Sequence, residues 1–124
     1  MTLGQNKMKW AKASEEIIKT FEDIIPGLSV VEKRKMFGYP VTFINGNMFM
    51  GVHGNSIILR LSESDRAEFL KLKSAKLFEP VPGRYMKEYA VIPGWMFDDK
   101  PSLNNWINRS FGYTSGLPHK LKNK

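Results

Sequence analysis

Few side chains in this sequence have the type and spacing that catalysis or metal binding requires. The chain has no cysteine and only two histidines, His53 and His119, which are far apart in the sequence. A metal site gathers several ligands, and a nucleophile needs an adjacent base. The serines do not occur in a G-x-S-x-G motif, the glycines follow no phosphate-loop or dinucleotide pattern, and Asp98-Asp99 is better explained as the start of a helix. We therefore expect no catalytic residue, no metal site and no cofactor.

Basic side chains are the most conspicuous chemical group. Six of them fall in or beside predicted strands: Lys33, Arg34, Lys35, Arg60, Arg84 and Lys87. Aromatic residues stand near them in the sequence, and a surface that combines cations with exposed rings can hold phosphates and stack bases. The alternative is that these charges are solvated while the rings are core, because strand alternation does not require both sets to share a face. We take the six cations as the candidate interaction surface.

The net charge of +7 comes mainly from the two ends of the chain. Residues 1–13 hold three lysines and no acid, and residues 112–124 also hold three lysines and no acid. The remainder is nearly neutral, with 13 basic and 12 acidic residues. Basic ends can attract phosphates or acidic partners in a salt-dependent way, or they can serve only as solubilising termini.

Three helices are predicted around these charges. An apolar stripe favours a helix over residues 8–25, or a shorter one capped by Ser14, with an end at Pro26. A second helix, over residues 62–73, has Ser62 as its N-cap. The third begins at Asp98-Asp99-Lys100-Pro101-Ser102 and ends with Gly112 at its C′ position.

Strands fill the rest of the chain. A charged strand over residues 28–37 suits the edge of a sheet. The Asn45-Gly46 pair predicts a type I′ hairpin, and a second turn is expected at residues 53–56. After an extended segment and a Pro82-Gly83 turn, the last strand covers residues 84–92. Its alternation predicts one face formed by Tyr85, Lys87, Tyr89 and Val91, and an opposite face formed by Met86, Glu88, Ala90 and Ile92.

These elements predict a two-layer α+β fold. An antiparallel β-sheet of about five to six strands is flanked by an N-terminal, a middle and a C-terminal helix. We expect one domain over residues 1–112, followed by a basic tail over residues 113–124. The sequence has neither a signal-peptide pattern nor an apolar run of membrane-spanning length, so a cytoplasmic location without membrane contact is expected.

Short blocks of this sequence, taken in order, resemble the N-terminal domain of the TfoX/Sxy competence regulators. The blocks are RKMFG from Arg34, FINGNMF from Phe43, LRL from Leu59, FEP from Phe78 and GRYM from Gly83, followed by Glu88-Tyr89, Pro93, Asp98-Asp99, Leu103 and Trp106. The resemblance covers residues 14–111 and implies a secretion-chaperone-like sheet-and-helix architecture with a link to competence gene regulation. The second domain of the full-length regulators has no counterpart in these residues, so their role is an expectation here.

The function expected from these observations is that of a non-enzymatic regulatory or adaptor domain. It would act through contacts with a protein partner that the sequence does not identify, as a monomer or as a homodimer. One alternative is a nucleic-acid-binding module that uses the basic tails and the basic strand surface. A second is a small-ligand-binding or enzymatic domain in which Arg84 clamps an anion.

Overall fold

The computed structural model describes residues 13–120 of the chain. Their order of elements confirms the predicted α+β class, with three α-helices and a six-stranded antiparallel sheet. The elements are α1 (Glu15–Ile24), β1 (Val31–Met36), β2 (Tyr39–Ile44), β3 (Asn47–His53), β4 (Ser56–Arg60), α2 (Glu63–Phe69), β5 (Lys76–Val81), β6 (Arg84–Val91), a 3-10 helix (Gly94–Asp98) and α3 (Lys100–Ser115).

The sheet has the order β1-β2-β3-β4-β6-β5, so β1 and β5 are its edges. The predicted type I′ turn between β2 and β3 is confirmed, since Asn45 has φ 52° and Gly46 has φ 83°. The turn between β1 and β2 is of the same kind, with Phe37 at φ 55° and Gly38 at φ 84°. Turns of this type match the right-handed twist of the strands that they join.

The two faces of the sheet are covered differently. In β4, Ile57 and Leu59 belong to the main core, together with side chains of all three helices such as Phe21, Phe69 and Leu103. Ile58 points to the opposite face, where it forms a smaller cluster with Phe78 and Tyr89. In the described residues only strands contribute to that smaller cluster. We call this second face the outer face.

Local capping explains where the first two helices begin. The Ser14 side chain accepts a hydrogen bond from the Ile17 N–H at 3.1 Å, so α1 starts at the shorter of the two predicted boundaries; residues 8–12 lie outside the described residues. Ser62 caps α2 in the same way, with the Asp65 N–H at 3.2 Å. The second helix is shorter than predicted, because the chain leaves it through turns after Phe69 and Ser74 takes φ 65°.

The third helix is longer than predicted. It continues through Gly112 to Ser115, and Gly116 caps it by donating its N–H to the Gly112 and Tyr113 carbonyls at 3.2 and 3.1 Å. The predicted end at Gly112 is wrong because buried Thr114 extends the helix's contact with the core. None of the helices within residues 13–120 is long and apolar enough to cross a membrane.

Residues beyond the third helix return to the β2–β3 turn. The Lys120 N–H donates to the Asn45 carbonyl at 2.9 Å, and Asn47 Nδ2 donates to the Pro118 carbonyl at 3.0 Å. The backbone of Lys120 is thereby held beside the turn. This end of the chain is thus part of the folded surface as far as residue 120.

Candidate functional site

The three consecutive cations of β1 are divided between the two sides of the sheet. Arg34 pairs with Val41 in β2, and both lie on the outer face. Lys33 and Lys35, the alternate residues, lie on the side of the helices. Arg34 is also engaged, because its Nε and Nη2 donate to the Glu32 carboxylate at 3.3 Å and its guanidinium stands 4.6 Å from the Phe43 ring centre.

Arg60 serves as a structural clamp on the outer face. Its Nε donates to Glu88 Oε1 at 2.7 Å, its Nη1 donates to the Met48 carbonyl at 3.2 Å, and its guanidinium lies 5.4 Å from the Tyr89 ring centre. The side chain is only 18% exposed. These contacts join β3, β4 and β6, so the charge of Arg60 is largely used within the fold.

The last two residues of the candidate interaction surface, Arg84 and Lys87, are exposed near the tip of the β5–β6 hairpin. This hairpin also carries the exposed Lys76 at its other end. The six candidate cations therefore do not meet in one patch. Lys33 and Lys35 lie on the helix side of an edge strand. Arg34 and Arg60 lie on the outer face, where each is paired with a glutamate, and Arg84 and Lys87 belong to the β5–β6 hairpin at the other end of the sheet.

An apolar cavity is the main feature of the outer face. It has a volume of about 270 Å³, and its lining is almost entirely apolar. The floor is formed by Val41, Met48 and Ile58, residues of the three central strands. Two hairpins form its sides: the β1–β2 hairpin contributes Met36 and Phe37, and the β5–β6 hairpin contributes Phe78, Pro80 and Met86.

A glycine in β3 allows the residues of the cavity floor to pack closely together. Gly51 pairs with Val41 and with Ile58, the two floor residues in the neighbouring strands. A Cβ atom at Gly51 would lie 2.8 Å from Val41 Cγ1 and 2.9 Å from Met48 Cε, closer than van der Waals contact permits. The absence of a side chain here is therefore what allows these residues to converge.

A break in the β5–β6 register completes the wall of the cavity. Leu77 is opposite Ala90, but the next residue, Phe78, is opposite Met86. The extra residues in β6 let both Met86 and Tyr89 line the cavity. The predicted alternation, which put these two residues on opposite faces, is therefore wrong at this point, because it assumed a regular strand.

His53 lies at the end of β3 and belongs to the cavity lining. Its ring centre is 5.2 Å from that of Tyr39 and 5.0 Å from that of Phe78, so it links β2 to β5 across the outer face. Desolvation by burial lowers the pKa of His53 below its usual 6.5. The imidazole is therefore neutral near pH 7 and extends the uncharged lining.

The rim of the cavity exposes apolar side chains. Among the lining residues, Phe37 is 77% exposed and Met86 41%. Phe37 also has a positive φ, which is unfavourable for a phenylalanine. In the equivalent position of the β2–β3 turn stands Asn45, and asparagine accommodates a positive φ better. A phenylalanine at this position therefore carries a backbone cost that asparagine would not.

The lining of this site suits an apolar group. Within residues 13–120, the His, Asp and Glu side chains form no group of three that could hold a metal ion. Burial lowers the pKa of the lining residue His53, and the Glu88 carboxylate accepts a hydrogen bond from Arg60. Sequence reasoning missed the cavity; the signals that could have indicated it are Phe37 before Gly38 in a turn and Gly51 within a strand.

The family model of the TfoX N-terminal domain matches residues 23–113. This range contains all six strands and therefore every residue of the cavity lining. Searches of curated proteins and of solved structures returned no match.

Proposed function

The chain belongs to the TfoX N-terminal domain family, and on this premise we propose that it is a non-enzymatic regulatory adaptor that acts by binding another protein. The observation that carries the proposal is the apolar cavity between the two hairpins, with Phe37 and Met86 exposed at its rim. Exposed apolar side chains around a concave apolar centre are typical of protein interaction sites.

The kind of site supports a protein partner over the two alternatives. A nucleic-acid-binding surface follows the backbone with many cations on one face, but Arg34 and Arg60 are paired with carboxylates and Lys33 and Lys35 lie on the other side of the sheet. Of the six candidate cations, this leaves Arg84 and Lys87 at the tip of one hairpin. A small-molecule site usually has about 300–1,000 Å³ and a few convergent polar groups. At about 270 Å³ this cavity lies at the lower end of that range, and almost none of its lining surface is polar.

The family assignment also suggests the process that the adaptor serves. We infer a role in the regulation of competence genes, exerted in the cytoplasm through a partner that acts on transcription. The chain itself would contribute binding only. Whether it does so as a monomer or as a homodimer follows from its mass in solution, so that measurement belongs to the test.

Capture from native lysate at near-physiological salt tests this proposal. The tagged chain is compared with Met86→Glu, which puts a charge on the cavity rim, and with Asn105→Glu, which adds the same charge at an exposed position of α3. We expect one specific protein to be recovered by the unmodified chain and by Asn105→Glu, and to be lost with Met86→Glu. Native mass spectrometry of the eluate gives the stoichiometry. Recovery of no specific protein, or equal recovery by all three chains, would overturn the proposal.

A further inference from the structure

We propose that the cavity receives a single bulky apolar side chain from an acidic segment of the partner protein. This inference rests on the proposed adaptor function and adds the chemistry of the segment that is bound. Three observations support it. They are the size of the cavity, the charges of the hairpin that forms one of its sides, and the positive charge of the segments of this chain that could otherwise occupy it.

The size of the cavity selects a side chain as its occupant. A volume of about 270 Å³ equals that of about nine water molecules, at about 30 Å³ each in the liquid. That is enough for one aromatic or branched aliphatic side chain, but it is at the lower limit for a whole ligand or cofactor. Phe37 and Phe78 line it from opposite sides, so an aromatic occupant would contact a ring on each side.

The charges of the β5–β6 hairpin, which forms one side of the cavity, select an acidic segment. Lys76, Arg84 and Lys87 are exposed on the β5–β6 hairpin, and they have no ion pair within the part of the chain that the structure describes. The carboxylates of that hairpin are already used. Glu88 is bound by Arg60, and Glu79 accepts the Gly83 N–H at 2.6 Å in its own turn. The hairpin that forms one side of the cavity therefore carries exposed positive charge and no carboxylate without a partner, so carboxylates on a segment that crosses it would be attracted.

Charge also argues against the chain's own segments as occupants. A second copy would bring a further net charge of +7 to the same surface. Residues 1–12 contain Met8 and Trp10, which are apolar enough to fill the cavity, but they carry three lysines and no acid. Both would meet the cations of the β5–β6 hairpin with charges of the same sign, which weakens association.

Calorimetric titration with synthetic peptides tests this inference. The first peptide is a short segment of aspartate and glutamate with one central tryptophan. In the second, alanine replaces the tryptophan, and in the third, lysines replace the acids. We expect the first peptide to bind with the lowest Kd. The second should bind at least about tenfold more weakly, since burying a large apolar side chain is worth that much or more.

Protein variants locate the binding. Arg84→Glu with Lys87→Glu should weaken the first peptide about tenfold or more, whereas the same change at Lys71 and Lys73, exposed lysines after α2, should leave its Kd within about twofold. Higher salt should weaken binding of the first peptide to the unmodified chain.

Three results would overturn the inference: no measurable binding of the first peptide, equal Kd values for the first two peptides, or tighter binding of the lysine peptide. Self-association of the free chain that the first peptide does not reverse would identify a second copy as the occupant and would also overturn it. The lysate capture is independent of these outcomes. If Met86→Glu still loses the captured protein while the acidic peptide fails to bind, the adaptor function stands and only the chemistry of the segment is wrong.

Discussion

Replacement of Phe37 by asparagine should separate the function of the outer face from the stability of the fold. Phe37 occupies the first central position of the β1–β2 turn with φ 55°, and asparagine occupies the same position of the β2–β3 turn with φ 52°. A left-handed conformation costs an ordinary L-residue about 1–2 kcal/mol, whereas asparagine adopts it more easily. Phe37→Asn should therefore recover about 1 kcal/mol of folding free energy from the backbone.

The change also removes apolar contacts, whose size follows from the exposure of the ring. Phe37 is 77% exposed, so about a quarter of an aromatic side chain of roughly 200 Å² is buried. At about 25 cal/mol per Å² this is worth roughly 1 kcal/mol, as an upper estimate. The two contributions nearly cancel, and we expect the free energy of unfolding to stay within about 1 kcal/mol. A fully buried ring such as Phe49 would instead cost about 3–5 kcal/mol on replacement by alanine.

Urea unfolding of the purified chain measures the stability, and lysate capture measures the binding. We expect Phe37→Asn to unfold near the same urea concentration as the unmodified chain and to lose most of the captured protein. The reciprocal variant, Asn45→Phe, puts an exposed ring into the other type I′ turn and should cost about 1–2 kcal/mol without affecting capture. A loss of more than about 2 kcal/mol for Phe37→Asn would show that the ring belongs to the fold, and undiminished capture would show that it does not bind.

Three further predictions concern the surroundings of the site. Arg60→Met should lower the free energy of unfolding by about 1–2 kcal/mol in urea, because it leaves Glu88 without its partner at a half-exposed position; a loss below about 0.5 kcal/mol would refute its role as a clamp. Gly46→Ala should lower the unfolding temperature, because Gly46 has a positive φ and because the added Cβ would clash with the Lys120 carbonyl. In a chain truncated after Gly116 the same change should lower the unfolding temperature less. Equal losses in both chains would refute the contact between Gly46 and Lys120. Because burial lowers the pKa of His53, the unfolded chain binds a proton more readily than the folded one. Stability should therefore fall as the pH drops below about 6.5 and level off below the folded pKa, and His53→Asn should reduce this fall; an identical pH profile in the variant would refute it.

The parts of this fold that short-range chemistry decides are the parts that the sequence predicts well. Asn45-Gly46 specifies its turn because both residues accept positive φ, and Ser14 and Ser62 cap helices because a side-chain oxygen reaches an N–H three residues on. The family resemblance and the α+β class follow from such local features taken in order. The predicted end of α3 at Gly112 failed because tertiary contacts of later residues decide where that helix stops.

The candidate site depends on geometry that no short stretch encodes. Met86 and Tyr89 meet in one cavity only because β6 shifts its register against β5. The charged run in β1 reads as one patch along the chain, yet alternation sends Arg34 to one face and its neighbours to the other. Arg60 looked available in the sequence, and its partner Glu88 is 28 residues away. Long-range pairing therefore determined which of the predicted cations remain accessible.

The methionine side chains allow the most direct test of the interaction site. Met36, Met48 and Met86 line the cavity, whereas Met50 and Met96 are fully buried in the main core. With ¹³C-labelled methionine methyl groups, an NMR titration with the protein captured from lysate reports on both sets in one spectrum. Occupation of the cavity predicts large shifts for Met36, Met48 and Met86 and little change for Met50 and Met96. Binding that leaves the three cavity methyl signals unmoved would contradict the assignment of the outer face as the interaction site.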